Sequence, residues 1–123
     1  MDERLVDPST LRFSQRTAGG NGRAATLRES MGAQGWNGPP IDVVNTAAGL
    51  VTIDNTRVAV AQELGLRDIP VRVHALDKPL PESLQQRFPQ SRTWGDALAY
   101  RTGHQAPPLP VDGTLDRPRM PAR

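Results

Sequence analysis

Residues Leu50 to Gly65 (LVTIDNTRVAVAQELG) constrain this chain more than any other stretch, because a short apolar strand runs straight into a helix with both ends marked. Asp54 is a good N-cap: its carboxylate can accept from first-turn N–H groups that have no partner inside a helix. Gly65 stands where a left-handed C-terminal residue is wanted, and Val58, Ala61 and Leu64 keep helical spacing between the two ends. Asp54, Asn55, Thr56 and Arg57 therefore gather in one first turn, where free N–H groups and the helix dipole favour an anion, phosphate first among them.

Other elements fall into place around this junction. Leu11 to Gln15 (LRFSQ) alternates apolar and polar residues as a half-buried strand does, with Arg12 and Ser14 on one face and Gln15 on the other. Thr26 to Met31 has helical spacing, bounded by Gly32 and Gly35. Ile41 to Val44 reads as a strand, paired in a hairpin with Leu50 to Ile53. Val71 to Ala75 reads as another, with Val71 and Val73 inward and Arg72 and His74 on the opposite face. Glu82 to Phe88 is expected to be helical. A final helix is announced by Thr93-Trp94-Gly95-Asp96, a capping-box signature with Asp in place of Glu, and ends at Gly103. The expected fold class is α+β, close to α/β: a small mixed sheet with interspersed helices.

The chain has 123 residues, enough for one domain with a modest core. Residues 1–10 read as a leader. Residues 11–103 read as the folded body, and 104–123, with five prolines from Ala106 onward, as a flexible tail. Absence of cysteine excludes disulfides, thiol nucleophiles and thiolate zinc sites. No apolar run approaches the roughly 18 residues of a membrane span, so membrane insertion by this domain is not expected, and no export leader is recognisable. Fourteen of the fifteen basic residues are arginine, which forks onto phosphate or carboxylate; a GC-rich genome would produce the same bias.

Leu11-Arg12-Phe13-Ser14-Gln15, followed by Pro40-Ile41-Asp42-Val43-Val44 and then Thr52-Ile53-Asp54-Asn55-Thr56-Arg57-Val58, resembles the ParB-like C-terminal toxin domains of bacterial polymorphic and contact-dependent toxins. The resemblance spans about residues 11 to 103 and implies a ParB/sulfiredoxin-like fold with a phosphate or nucleotide site at the strand-to-helix turn. The turn departs from chromosome-partitioning ParB, because Asn55 and Thr56 stand where glycine and often histidine accompany the arginine. It also lacks the cysteine of sulfiredoxins, which removes sulfinic-acid repair on chemical grounds. What the resemblance implies is a nuclease toxin at the end of a larger secreted or delivered polypeptide. Such a toxin acts in the target-cell cytoplasm and is neutralised by a cognate immunity protein.

Each candidate has a plainer reading beside the functional one. Asp54 is either a catalytic or metal-binding carboxylate, or a cap contributing about 1 kcal/mol. Arg57 either grips phosphate or pairs with Asp54 one turn away. Asn55, Thr56, Ser14 and Gln15 are candidates to bind phosphate or substrate, and Arg12 and His74 to act in catalysis. A solvated strand face accounts for Arg12 and Ser14 equally, and polar surface for His74. The Gly19-Gly20-Asn21-Gly22 loop lacks the Lys-Ser/Thr of a P-loop and reads as a flexible connection. His74 and His104 are too far apart, with no helical histidine partner, to suggest zinc; no metal ligand set is assigned. Trp36, Trp94 and Tyr100 read as core rather than as base-stacking surfaces.

Three functions remain in competition. The first is a toxin acting on nucleic-acid phosphodiesters, with Asp54, alone or with a divalent metal, positioning water while Arg57 holds phosphate. The second is an ATP- or CTP-dependent enzyme of the same fold. The third is a non-enzymatic binding module in which the Asp54 turn is only a cap.

Overall fold

The computed structural model describes residues 2–122. Four strands form one mixed sheet: β1 (Asp2–Val6), β2 (Ile41–Thr46), β3 (Gly49–Thr52) and β4 (Ile69–Ala75), in the order β1-β4-β2-β3. The β2–β3 hairpin and the β1–β4 pair are antiparallel, whereas β2 and β4 run parallel. A parallel pair needs a crossover, supplied here by α2 (Asn55–Glu63) between β3 and β4. The remaining helices are α1 (Arg23–Gln34), the single turn α3 (Glu82–Gln85) and α4 (Trp94–Gly103). The expected class, a small mixed sheet with helices between and after its strands, is the one observed.

Side-chain alternation along the strands feeds two cores, one on each face of the sheet. Ile41, Val43, Ile69 and Val71 point to the face covered by α1 and α2, where Met31, Val58, Val60, Leu11 and Phe13 join them. Val44 and Val51 serve the other face, with Leu80, Phe88, Trp94 and Leu98. Helix α2 is buried on nearly all sides, from Asn55 through Ala61 except for Arg57, so its position is fixed by packing rather than by one amphipathic stripe. Burying Val58 and Val60 alone is worth on the order of 1.5–3 kcal/mol each.

Local signals set the ends of the helices. The Asp54 carboxylate accepts from the Arg57 N–H. Gly65, at φ +71°, ends α2 in a Schellman motif, with Leu66 N–H on Ala61 O at 3.0 Å and Gly65 N–H on Gln62 O at 3.1 Å. Both halves of the Thr93–Asp96 capping box are present on α4.

Several local expectations differ from the structure. The segment read as a leader contains β1, hydrogen-bonded to β4 along its length. Leu11 to Gln15 is extended but forms only single bridges, Arg12 with Val51 and Phe13 with Thr114. The helix expected over 82–88 lasts one turn, although Phe88 N–H still reaches Leu84 O at 3.2 Å. Finally, the Pro-rich tail is pinned by guanidinium groups on its carbonyls: Arg12 on Asp112 and Gly113, Arg16 on Pro107 and Pro108, and Arg28 on Pro121.

Candidate functional site

The first turn of α2 is knitted to residues 14–19 by buried hydrogen bonds. Asn55 Oδ1 accepts from Ser14 N–H at 2.8 Å, and its Nδ2 donates to Ser14 Oγ at 3.0 Å and to Gln15 Oε1 at 3.2 Å. Ser14 Oγ in turn donates to Thr52 O at 2.6 Å. Thr56 Oγ1 accepts from Gly19 N–H at 3.1 Å, which fastens the glycine loop to the helix start. A side chain at Gly19 would collide with Ala24, and its φ of +80° suits glycine, so this loop is a fitted piece rather than the flexible connection expected.

Asp54 is the hub of a charged cluster. Its carboxylate accepts from Arg57 Nε at 2.6 Å and from Arg23 Nη2 at 3.1 Å. Arg57 is further held by Pro39 O at 2.9 Å and lies over the Trp36 ring at 5.0 Å. Protein partners thus engage both Nε and Nη1 of Arg57. Arg23 passes from Asp54 into the neighbouring groove.

That groove has a volume of about 530 Å³ and is lined by Gln15, Thr17, the 18–21 loop, Arg23, Thr56 and Arg119. A second hollow of about 300 Å³ adjoins it, sharing Gln15 and Thr17 and lined further by Tyr100, Arg101, His104 and Gln105; together they form the two lobes of one trough. Gln105 closes the seam, donating to Ser14 O at 3.0 Å and accepting from Arg16 N–H at 2.8 Å. Arg101 donates to Ile53 O at 2.9 Å, and its burial, reinforced by the charge of Arg87, pushes its guanidinium below its ordinary value. Guanidinium groups are so basic that the charge persists. Three arginines, an amide side chain and a helix N-terminus therefore border one open, basic trough suited to an anionic ester.

The candidate residues do not all meet there. Gln15 and Thr56 line the trough, and Asn55 and Ser14 are the buried frame behind them. Asp54 and Arg57 sit one step back, with Asp54 reaching the trough only through Arg23. Arg12 is turned away onto the tail carbonyls at 112 and 113. His74 lies elsewhere: its Nε2 is 2.8 Å from Asp42, its ring stacks on Trp94, and it lines a separate hollow with Asp2, Asn45 and Lys78. Among the described residues, no three histidine, cysteine or acidic side chains come together as a metal ligand set. No described helix is long and apolar enough to cross a membrane.

Sequence reasoning missed Arg23, Arg101, His104 and Arg119 as members of one site. Arg23 opens α1, Arg101 and His104 share the end of α4, and Arg119 lies in the tail, so no single local spacing announces them together; the arginine-rich composition was the only hint.

No protein-family model matches the chain, and no curated protein does either. Among solved structures it is similar to a C-terminally truncated chromosome-partitioning protein ParB from Caulobacter crescentus, complexed with CTP-gamma-S. That match has 16% identity and a TM-score of 0.51, over 94% of this chain and 73% of the other. It is also similar to sulfiredoxin from Arabidopsis thaliana, at 18% identity and a TM-score of 0.48, over 61% of this chain and 86% of that one. The fold is ParB-like, a small mixed α/β architecture.

Proposed function

We propose that the basic trough holds a phosphodiester strand and that the chain is the nuclease end of a bacterial polymorphic toxin. In this reading it is delivered as part of a larger polypeptide, acts in the target-cell cytoplasm and is neutralised by a cognate immunity protein. The observation that carries the phosphodiester reading is the pair of adjoining hollows that share Gln15 and Thr17 and are edged by Arg23, Arg101 and Arg119. An extended strand fits such an open trough, whereas a small ligand is usually enclosed on most sides. The toxin context rests on the ordered motifs Leu11 to Gln15 and Ile53 to Val58.

Within this proposal Arg23, Arg101 and Arg119 neutralise phosphate, and Gln15 and the Thr56 turn fix its position. Asp54 positions Arg23 and Arg57 rather than touching substrate, so this carboxylate and guanidinium play a supporting part. Electrostatic stabilisation of the phosphoryl transition state then supplies most of the rate. A second reading, that the ligand is a free nucleotide, is favoured by the CTP-gamma-S complex of the Caulobacter ParB structure.

One experiment separates the two. Purified protein is incubated with plasmid DNA, total RNA and labelled ATP or CTP, and the gene is expressed inducibly with and without its neighbour. Cleaved nucleic acid, with growth arrest relieved by the neighbouring gene, is the expected outcome. Consumed nucleotide beside intact nucleic acid would establish the second reading instead.

A further inference from the structure

Helix α4 ends on His104, whose backbone N–H and Nδ1 both reach Tyr100 O, at 3.0 and 2.8 Å. A carbonyl oxygen can only accept, so Nδ1 carries the proton and Nε2 keeps the free lone pair of the neutral ring. The imidazole also lies nearly flat on Tyr100, with ring centroids 3.8 Å apart and 22° between planes, so its tautomer and its plane are both set. Although exposed, it lines the smaller lobe of the trough beside Arg101, Thr17 and Gln15. The other histidine has no such freedom, since Nε2 of His74 is engaged by Asp42 in a different hollow.

We propose, resting on the phosphodiester reading above, that His104 is the general base of the reaction. Nε2 takes a proton from a water molecule as the water oxygen bonds to phosphorus. The bond from phosphorus to the leaving nucleoside oxygen breaks, and that oxygen takes a proton from solvent. Arg101, on the same lobe, faces the charge that gathers on the phosphoryl oxygens. Helix capping accounts for Nδ1; it does not call for the ring to border a basic groove.

The test compares wild type, His104→Ala and His104→Asn on a labelled single-stranded oligonucleotide, following binding by anisotropy and cleavage by gel. Asn retains a donor for the helix end and so controls for folding. Cleavage by both variants is expected to fall about 10²- to 10⁴-fold while the Kd moves less than about 3-fold. Added imidazole is expected to restore part of the activity of His104→Ala, which a purely structural role would not allow. Cleavage by His104→Ala within a few-fold of wild type, or a folded, binding variant that imidazole leaves inactive, would overturn the base assignment alone. Wild-type protein that neither binds nor cleaves the oligonucleotide would remove the phosphodiester reading and the base with it.

Discussion

Replacing Asn55 with alanine probes the joint on which the candidate site is built. Asn55 is 2% exposed and makes the one hydrogen bond available to the buried Ser14 N–H, at 2.8 Å, besides donating to Ser14 Oγ and Gln15 Oε1. Asn55→Ala removes the two bonds that Nδ2 donates, each worth about 1 kcal/mol net, and strands the Ser14 N–H in the interior at a further cost of about 1–3 kcal/mol. Ser14 Oγ keeps Thr52 O, so its hydroxyl adds nothing to the loss. The total is roughly 3–5 kcal/mol, which for a chain of this size lowers Tm by on the order of 10–20 °C. Urea unfolding should show a lower midpoint with an unchanged m value, because the surface exposed on unfolding is the same. A change below about 0.5 kcal/mol would refute the claim that this network holds α2 against residues 14–15.

Two further perturbations address the tail and α4. Gly113, at φ +69°, has no room for a side chain against the Phe13 carbonyl, so Gly113→Ala should destabilise by about 1–3 kcal/mol and expose the tail to limited proteolysis; wild-type resistance would contradict the fit. Thr93→Ala should cost about 1 kcal/mol by removing the α4 cap. Its partner Asp96 is held below the usual carboxylate range by the Arg92 and Thr93 N–H groups. A depressed folded pKa means that the stability it confers is present above the unfolded Asp value and lost as pH falls through the folded one. Acid unfolding followed by circular dichroism should therefore be less steep in Asp96→Asn, and an identical acid limb would contradict the assignment.

What the sequence could convey depended on how local the cause is. The caps at Asp54, Gly65 and Thr93–Asp96 are interactions within a few residues, and all three are as read. Strands β2, β3 and β4 were legible from β-branched runs that bury alternate residues, including the opposite faces of Val71 and His74. Strand β1 was not, because Asp2 to Leu5 are exposed and the strand is held by backbone pairing to β4. The tail misled for a related reason: proline-rich composition suggests looseness, yet arginines 12, 16 and 28 bind its carbonyls from sites about 90 to 100 residues away. Of the candidate site, Gln15 and the Thr56 turn were legible, whereas Arg23, Arg119 and the Arg101–His104 end of α4 are brought together only by tertiary packing.

The central claim is that the trough binds a phosphate backbone, and salt-dependent binding of a labelled single-stranded oligonucleotide tests it most directly. Wild-type affinity should fall linearly on a log–log plot against salt, and the Arg23→Ala/Arg119→Ala double variant should bind more weakly with a slope shallower by about 1.4. Affinity that ignores salt, or a double variant with the wild-type slope, would place the ligand elsewhere.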